Sequence, residues 1–187
     1  MSRERREISG GEAVMRTLVD NGVDTIFGYP GGAIMPTYDA LFDHEGVDLR
    51  HVLVRHEQGA AHAAEGYAQM KHEPGVVLVT SGPGATNTVT GIANAWLDRT
   101  PLVVISGQVK SELIGSEAFQ EAPVTDITRP VTKLSRLIKN AAEIQGAIGE
   151  ALHIASSGRP GPVHIDIPKD VQAEMVVYES AGSRSIP

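Results

Sequence analysis

The sequence predicts an α/β fold: a three-layer, six-stranded and mainly parallel sheet with helices on both faces. Three observations lead there. Aliphatic runs such as residues 76–79 and 102–105 lack polar alternation, so they read as strands buried on both sides. Segments with apolar residues at helical spacing separate these runs. Gly-rich turns fall where a strand gives way to a helix.

The elements follow in order. Ser9 and Glu12 have capping-box spacing ahead of Ala13, Val14, Leu18 and Val19, and Asn21-Gly22 ends that helix. A strand over residues 25–27 enters GYPGGA, and a helix then carries Ile34, Tyr38, Leu41 and Phe42 with Pro36 in its first turn. Residues 49–54 form a strand and 57–71 a helix. A strand over 76–80, the turn SGPG, a helix over 86–98 and a strand over 102–106 come next. Residues 108–129 read as a long loop with helical turns. A strand over 131–134, a helix over 142–156 and a strand over 163–167 complete the alternation. The domain is expected to span residues 1–168. Residues 169–187, ending in AGSRSIP, read as a linker.

With 187 residues, 41% hydrophobic and 4% aromatic, the chain suits one globular domain with an aliphatic core. A net charge of −7 argues against a nucleic-acid partner. Arg3, Arg5 and Arg6 alternate with acids and read as a solvated N-terminal arm. The absence of cysteine excludes disulfides, thiolate metal sites and a cysteine nucleophile, and suits the cytoplasm. No apolar run is long enough to cross a bilayer, so no membrane partner is expected.

Three features fall at the carboxyl ends of predicted strands, where ligands gather in such sheets. The paired glycines of Gly28-Tyr29-Pro30-Gly31-Gly32-Ala33 suit either close approach to a ligand or a plain turn. Ser81-Gly82-Pro83-Gly84, with Asn87 following, could cradle phosphate at a helix start. It is neither GxGxxG nor GxxxxGKS/T, so a tight turn is the plainer reading. The third is Glu57 in VRHEQGAAHAAEGYA. A carboxylate in a first helical turn gains ~0.3–1 kcal/mol from the helix dipole, and local chemistry alone favours an exposed charge over a proton-transfer group. His51, His56, His62 and His72 show no HExxH spacing, so no metal is assigned to them. The lack of a GxSxG elbow argues against a hydrolase.

Taken together, FGYPGGA, RHEQGAAHAAEGYA, VTSGPGATNTVTGIANAWLD, PLVVISGQV, AFQE, RPVTK and SGRPGPVHIDIPKDVQ occur in order over residues 27–172. This series closely resembles the N-terminal, pyrimidine-binding domain of the acetohydroxyacid synthase (acetolactate synthase) large catalytic subunit family, which uses thiamine diphosphate. RHEQGAAHAAEGYA and SGPGATN are shared across thiamine-diphosphate decarboxylases, oxidases and carboligases. AFQE with RPVTK points to the narrower family. Another thiamine enzyme acting on a 2-oxoacid, or a stand-alone binding module, remains the alternative.

The resemblance implies a role for each matching residue. Glu57 would hydrogen-bond the cofactor's aminopyrimidine, whose own nitrogen then takes the thiazolium C2 proton. Thr80, Pro83 and Asn87 would line the pyrimidine pocket. Tyr29, Gly31, Gly32 and Ala33 would lie near the thiazolium and substrate. Phe119, Gln120 and Lys133 would flank the substrate channel, and Arg159 would contact FAD. The activity implied is condensation of two pyruvates, or of pyruvate with 2-oxobutyrate, releasing CO2 in branched-chain amino acid biosynthesis. The family also implies Mg2+, a homodimer at least and, as an open question, a regulatory small subunit. Ala60, Ala61, Ala63 and Ala64 suit close helix packing, either across a dimer interface or within the chain.

The sequence departs from the family in places. Lys110-Ser111-Glu112 stands where relatives commonly carry proline and often a basic residue, which leaves substrate preference and inhibitor response open. Leu134 stands where many relatives have histidine. No GDG motif for magnesium and diphosphate occurs, so these residues are expected to be one domain of a longer enzyme, inactive alone.

Overall fold

A computed structural model describes residues 5–43 and 47–180. Arg3 and the tail over residues 181–187 lie outside the described residues. The strands are β1 (Arg5–Ser9), β2 (Thr25–Tyr29), β3 (Arg50–Leu53), β4 (Gly75–Val79), β5 (Leu102–Gln108), β6 (Leu134–Leu137), β7 (Pro162–Pro168) and β8 (Met175–Glu179). The helices are α1 (Gly10–Asp20), α2 (Met35–Asp43), α3 (Glu57–Lys71), α4 (Pro83–Thr86), α5 (Val89–Asp98), α6 (Val124–Thr128), α7 (Ile144–Ser156) and α8 (Lys169–Ala173).

The main sheet has six parallel strands in the order β3-β2-β4-β5-β7-β6. The side-chain period of two divides its apolar residues between two cores. Val76, Leu78, Val103, Ile105, Val163 and Ile165 pack with Val14 and Leu18 of α1, Tyr38 of α2 and Ile144 and Ile148 of α7. Val77, Val79, Leu102 and Val104 pack with Ala60 and Ala64 of α3 and Ile92 and Ala95 of α5. The middle strands β4, β5 and β7 are buried along their whole length, which is why they read as unbroken aliphatic runs.

Helix ends follow local chemistry. Ser9 Oγ accepts from the Glu12 N–H at 3.1 Å, while the Glu12 carboxylate turns to Arg16. Asn21 caps the other end of α1, followed by Gly22 at φ 82°. His56 caps α3, its Nδ1 accepting from the Gln58 N–H at 3.1 Å.

Three expectations shift, and one left open between two alternatives is decided for three alanines. The strand expected over 131–134 begins later, at Leu134, because Pro130 lacks an N–H and residues Arg129–Val131 form a 3-10 turn closed by Thr132 Oγ1 donating to the Thr128 carbonyl at 2.9 Å. The expected linker is structured as far as Glu179: α8 buries Val171 and Gln172, and β8 buries Tyr178. The stretch expected as a solvated arm pairs antiparallel with β8 as β1, with Ile8 opposite Val176. Finally, Ala60, Ala61 and Ala64 are fully buried within the chain, and a Cβ on Gly91 of α5 would come within 2.4 Å of Ala61. Their small size serves α3–α5 contact.

Candidate functional site

The carboxyl ends of β2, β3 and β4 converge on Glu57. Leaving β2, the Gly31–Ala33 turn docks on the end of β4, where the Ala33 N–H donates to Thr80 Oγ1 at 3.2 Å. Thr80 is buried, Tyr29 is 41% exposed and Gly32 is exposed. The chain then turns through Ser81 and Gly82 into α4, with Pro83 at its first position, where a missing N–H costs no helical hydrogen bond.

Glu57 opens α3 and is half-buried, neither a free surface charge nor a fully enclosed group. Asn87 Nδ2 donates to its Oε2 at 2.9 Å. Oε1 has no hydrogen-bond partner among the described residues. It faces Gly84, where an added Cβ would lie 3.3 Å away. Beneath the site, Tyr38 Oη donates to the Leu78 carbonyl at 3.1 Å and lies 3.2 Å from His51 Nε2. Burial, reinforced by the Glu57 charge, pushes the Tyr38 phenol above its usual range, and burial holds His51 below its own.

The AFQE segment joins this edge through its backbone. Gly82 adopts φ 55°, and a Cβ there would come 2.5 Å from the Gln120 carbonyl oxygen. Phe119 is 88% exposed. Lys133 and Arg159 are not brought to Glu57. Lys133 precedes β6 at the opposite, amino edge of the sheet, where Nζ donates to the carbonyls of Ile154 and, at 2.6 Å, Ser157. It caps the carboxyl end of α7, a favourable place for a cation, and desolvation lowers its pKa. Arg159, just before β7, lies 5.2 Å from the Trp96 ring on the same amino edge. Among the described residues, no group of three His, Cys, Asp or Glu could hold a metal ion, and no helix is long and apolar enough to cross a membrane.

Residues 8–128 match the family described as thiamine pyrophosphate enzyme, N-terminal TPP binding domain. The chain belongs to this family. It is also similar to the acetolactate synthase large subunit of Lactococcus lactis, 52% identical over 96% of this chain and 31% of that protein. Isozyme 3 of the large subunit from Escherichia coli is 56% identical over 88% of this chain and 28% of that protein. The acetolactate synthase of Mycobacterium bovis is 55% identical over 89% of this chain and 26% of that protein. The chain therefore spans less than a third of the length of these relatives.

The donor set suits the thiamine ring that the TPP-binding family name implies. Glu57 offers one carboxylate oxygen fixed by Asn87 and a second left open beside a glycine. That open oxygen can share a proton with a ring nitrogen.

The sequence motifs do not point to a buried polar network that lies behind the carboxyl edge of the sheet. Ser106 Oγ donates to Asp166 Oδ1 at 2.5 Å and lies 2.8 Å from His164 Nε2. Gln108 Nε2 donates to Asp166 Oδ2 at 2.9 Å. This is no nucleophilic triad: the serine bridges acid and histidine, and Ser106 and His164 are fully buried. Burial pushes Asp166 up to about 7 against the hydrogen bonds from Ser106 and Gln108, and pushes His164 down to about 3. Because Ser106 donates to Asp166, the neutral imidazole donates from Nε2; the Thr128 hydroxyl donates to the Val124 carbonyl, so Ser135 Oγ, 3.2 Å away, is the donor to Nδ1. Gln172 was also missed: fully buried, it donates to the carbonyls of Ala33 at 2.8 Å and Ile167 at 2.7 Å, and accepts from Thr37 at 2.9 Å. The network had a cue in the sequence, namely polar residues (Ser106, Gln108, His164 and Asp166) inside strands that otherwise read as buried aliphatic runs; Gln172, in a short helix with exposed Lys169 and Ala173, had none.

Proposed function

We propose that these residues form the pyrimidine-binding half of an acetolactate synthase active site, in an enzyme that condenses two pyruvates, or pyruvate with 2-oxobutyrate, with loss of CO2. The observation that carries this reading is the Glu57–Asn87 pair with its open second oxygen at the carboxyl edge of the sheet. Identity of more than half the residues to acetolactate synthases supports the choice within the wider thiamine family.

Bound thiamine diphosphate supplies the electron sink for decarboxylation and carbon–carbon bond formation. Glu57 holds a proton at Oε1 for the aminopyrimidine N1′. Asn87 fixes the other oxygen, so the carboxyl group meets the ring in one orientation. Thr80 and Pro83 would line the ring; the Thr80–Ala33 hydrogen bond docks the Gly31–Ala33 turn on the end of β4, from which Gly31, Gly32 and Ala33, with Tyr29 beside them, would face the thiazolium and substrate. Phe119 and Gln120 flank the substrate entry. FAD would use Arg159, and Mg2+ with the diphosphate would bind outside the residues described above. The parent is a cytoplasmic homo-oligomer in branched-chain amino acid biosynthesis, open to a regulatory small subunit.

The test is Glu57→Gln in the complete polypeptide that carries this sequence. Hydrogen–deuterium exchange at thiamine C2, followed by NMR, should slow by orders of magnitude. Unchanged exchange refutes the role of Glu57. Acetaldehyde or acetyl phosphate in place of acetolactate, with pyruvate as substrate, refutes the activity.

A further inference from the structure

Residues 118–122, which carry Phe119 and Gln120, have little apolar anchorage. Phe119 points into solvent, Gln120 is exposed, and Gln120 adopts φ 60°. The Glu121 carboxylate organises the loop internally, accepting from the N–H groups of Gly115 and, at 3.2 Å, Ala118. These bonds shape the loop without joining it to the sheet. Gln108, the last residue of β5 and only 3% exposed, makes that connection. Its Nε2 donates both to the Ala122 carbonyl at 3.0 Å and to Asp166 Oδ2 at 2.9 Å. Its Oε1 accepts from the Val109 N–H at 2.9 Å, which fixes the amide's orientation. Asp166 is held in turn by Ser106, its neighbour across the β5–β7 ladder. All the amide's donors and its acceptor are used, so the side chain has one satisfied pose.

We propose that Gln108, anchored on Asp166, is a positioning residue that holds the Phe119–Gln120 loop over Gly82 at the mouth of the Glu57 site. Its effect on substrate rests on the acetolactate synthase reading above; its effect on the loop does not. Gln108→Met keeps the length and removes the amide. Gln108→Asn withdraws the amide by one methylene and is the milder variant should the first fail to fold. Asp166→Asn keeps an acceptor for Gln108.

The experiment compares these variants with wild type in the complete polypeptide, by hydrogen exchange resolved to residues 115–122 and by steady-state kinetics with pyruvate. Losing a buried hydrogen bond of this kind should speed exchange in the loop about tenfold in both Gln108 variants. Exchange in β4 and β5 should stay unchanged, and Asp166→Asn should keep the loop protected. KM for pyruvate should rise by about tenfold, with kcat and thiamine diphosphate affinity within about twofold of wild type. Unaltered loop exchange overturns the positioning role. Faster loop exchange with unchanged KM overturns the link to substrate. A wild-type enzyme with no turnover of pyruvate would instead defeat the functional reading, and hydrogen exchange would still decide the role of Gln108.

Discussion

Asn87 and Glu57, 30 residues apart in sequence, are joined by a 2.9 Å hydrogen bond between Nδ2 and Oε2. Glu57 stands at the first position of α3 and Asn87 at the carboxyl end of α4, so the bond ties together the chain segments that leave β3 and β4. It leaves the other carboxylate oxygen facing Gly84. A carboxyl group placed this way has one oxygen committed to structure and one available for a proton.

Asn87→Ala removes this donor. A hydrogen bond to a charged group contributes ~1.5–3 kcal/mol, so C2 exchange of bound thiamine should slow about tenfold or more. Asn87→Asp should slow it further, because a second carboxylate at this distance discourages ionisation of the first. NMR exchange measurements on both variants decide it, and wild-type rates would remove Asn87 from the site.

Gly82→Ala tests the support of the AFQE loop. The backbone at Gly82 (φ 55°, ψ −119°) is strained for any L side chain, and the new methyl group would meet the Gln120 carbonyl at 2.5 Å. Strain and overpacking together should lower stability by roughly 2–4 kcal/mol. Urea unfolding of the 187-residue chain measures this, and a loss below about 1 kcal/mol contradicts the close approach.

Legibility in the sequence followed burial pattern. The span of α3 is readable because five alanines and other helix formers outweigh Gly59 and Gly66 between Glu57 and Lys71; in the structure it ends where His72 turns left-handed. The central strands were readable because burial on both faces requires aliphatic runs. β8 reads as linker in the sequence, although Met175–Glu179 has strand composition, because its antiparallel partner β1 lies at the far end of the chain and supplies no local turn signal. Among site residues, Glu57, Thr80 and Asn87 come with recognisable neighbours. Ser106 and Asp166 stand 60 positions apart as isolated polar residues in aliphatic strands, and only the β5–β7 register places them opposite one another. Lys133 shows the converse. A cation near a motif gives no hint of which sheet edge it occupies, and the carbonyls ending α7 hold it on the amino edge.

Gln172→Leu tests how the Gly31–Ala33 turn is held. The substitution leaves the Ala33 and Ile167 carbonyls and the Thr37 hydroxyl without their partner in a site that is 0% exposed at Gln172. At ~1–3 kcal/mol per buried orphan group, stability should fall by roughly 3–5 kcal/mol. Gln172→Glu keeps an acceptor for Thr37 but places its charge against two carbonyls, so it should be no milder. Chemical denaturation of both variants provides the check, and a Leu variant within about 1 kcal/mol of wild type contradicts the network.

The Asp166–His164 pair predicts an unusual pH dependence of stability. Asp166 is raised from 3.8 to about 7, so the folded state binds its proton more tightly than the unfolded chain does. Its stabilising contribution is complete below pH 3.8 and is lost as pH rises toward about 7. His164 is lowered from 6.5 to about 3, so its contribution is complete above pH 6.5 and is lost as pH falls toward about 3. Between pH 3.8 and 6.5 the two slopes oppose each other, each with a ceiling of ~1.4 kcal/mol per pH unit. Asp166→Asn removes one arm, so its stability relative to wild type should rise with pH across this window. His164→Gln removes the other, so its relative stability should fall with pH. Taking each variant's difference from wild type cancels the common titration of surface groups. Urea midpoints measured at intervals from pH 4.5 to 6.5 supply the comparison, those limits lying inside the window that the two groups set. Difference curves that run flat, or slope the same way for both variants, would show that these groups do not titrate against each other in the buried network.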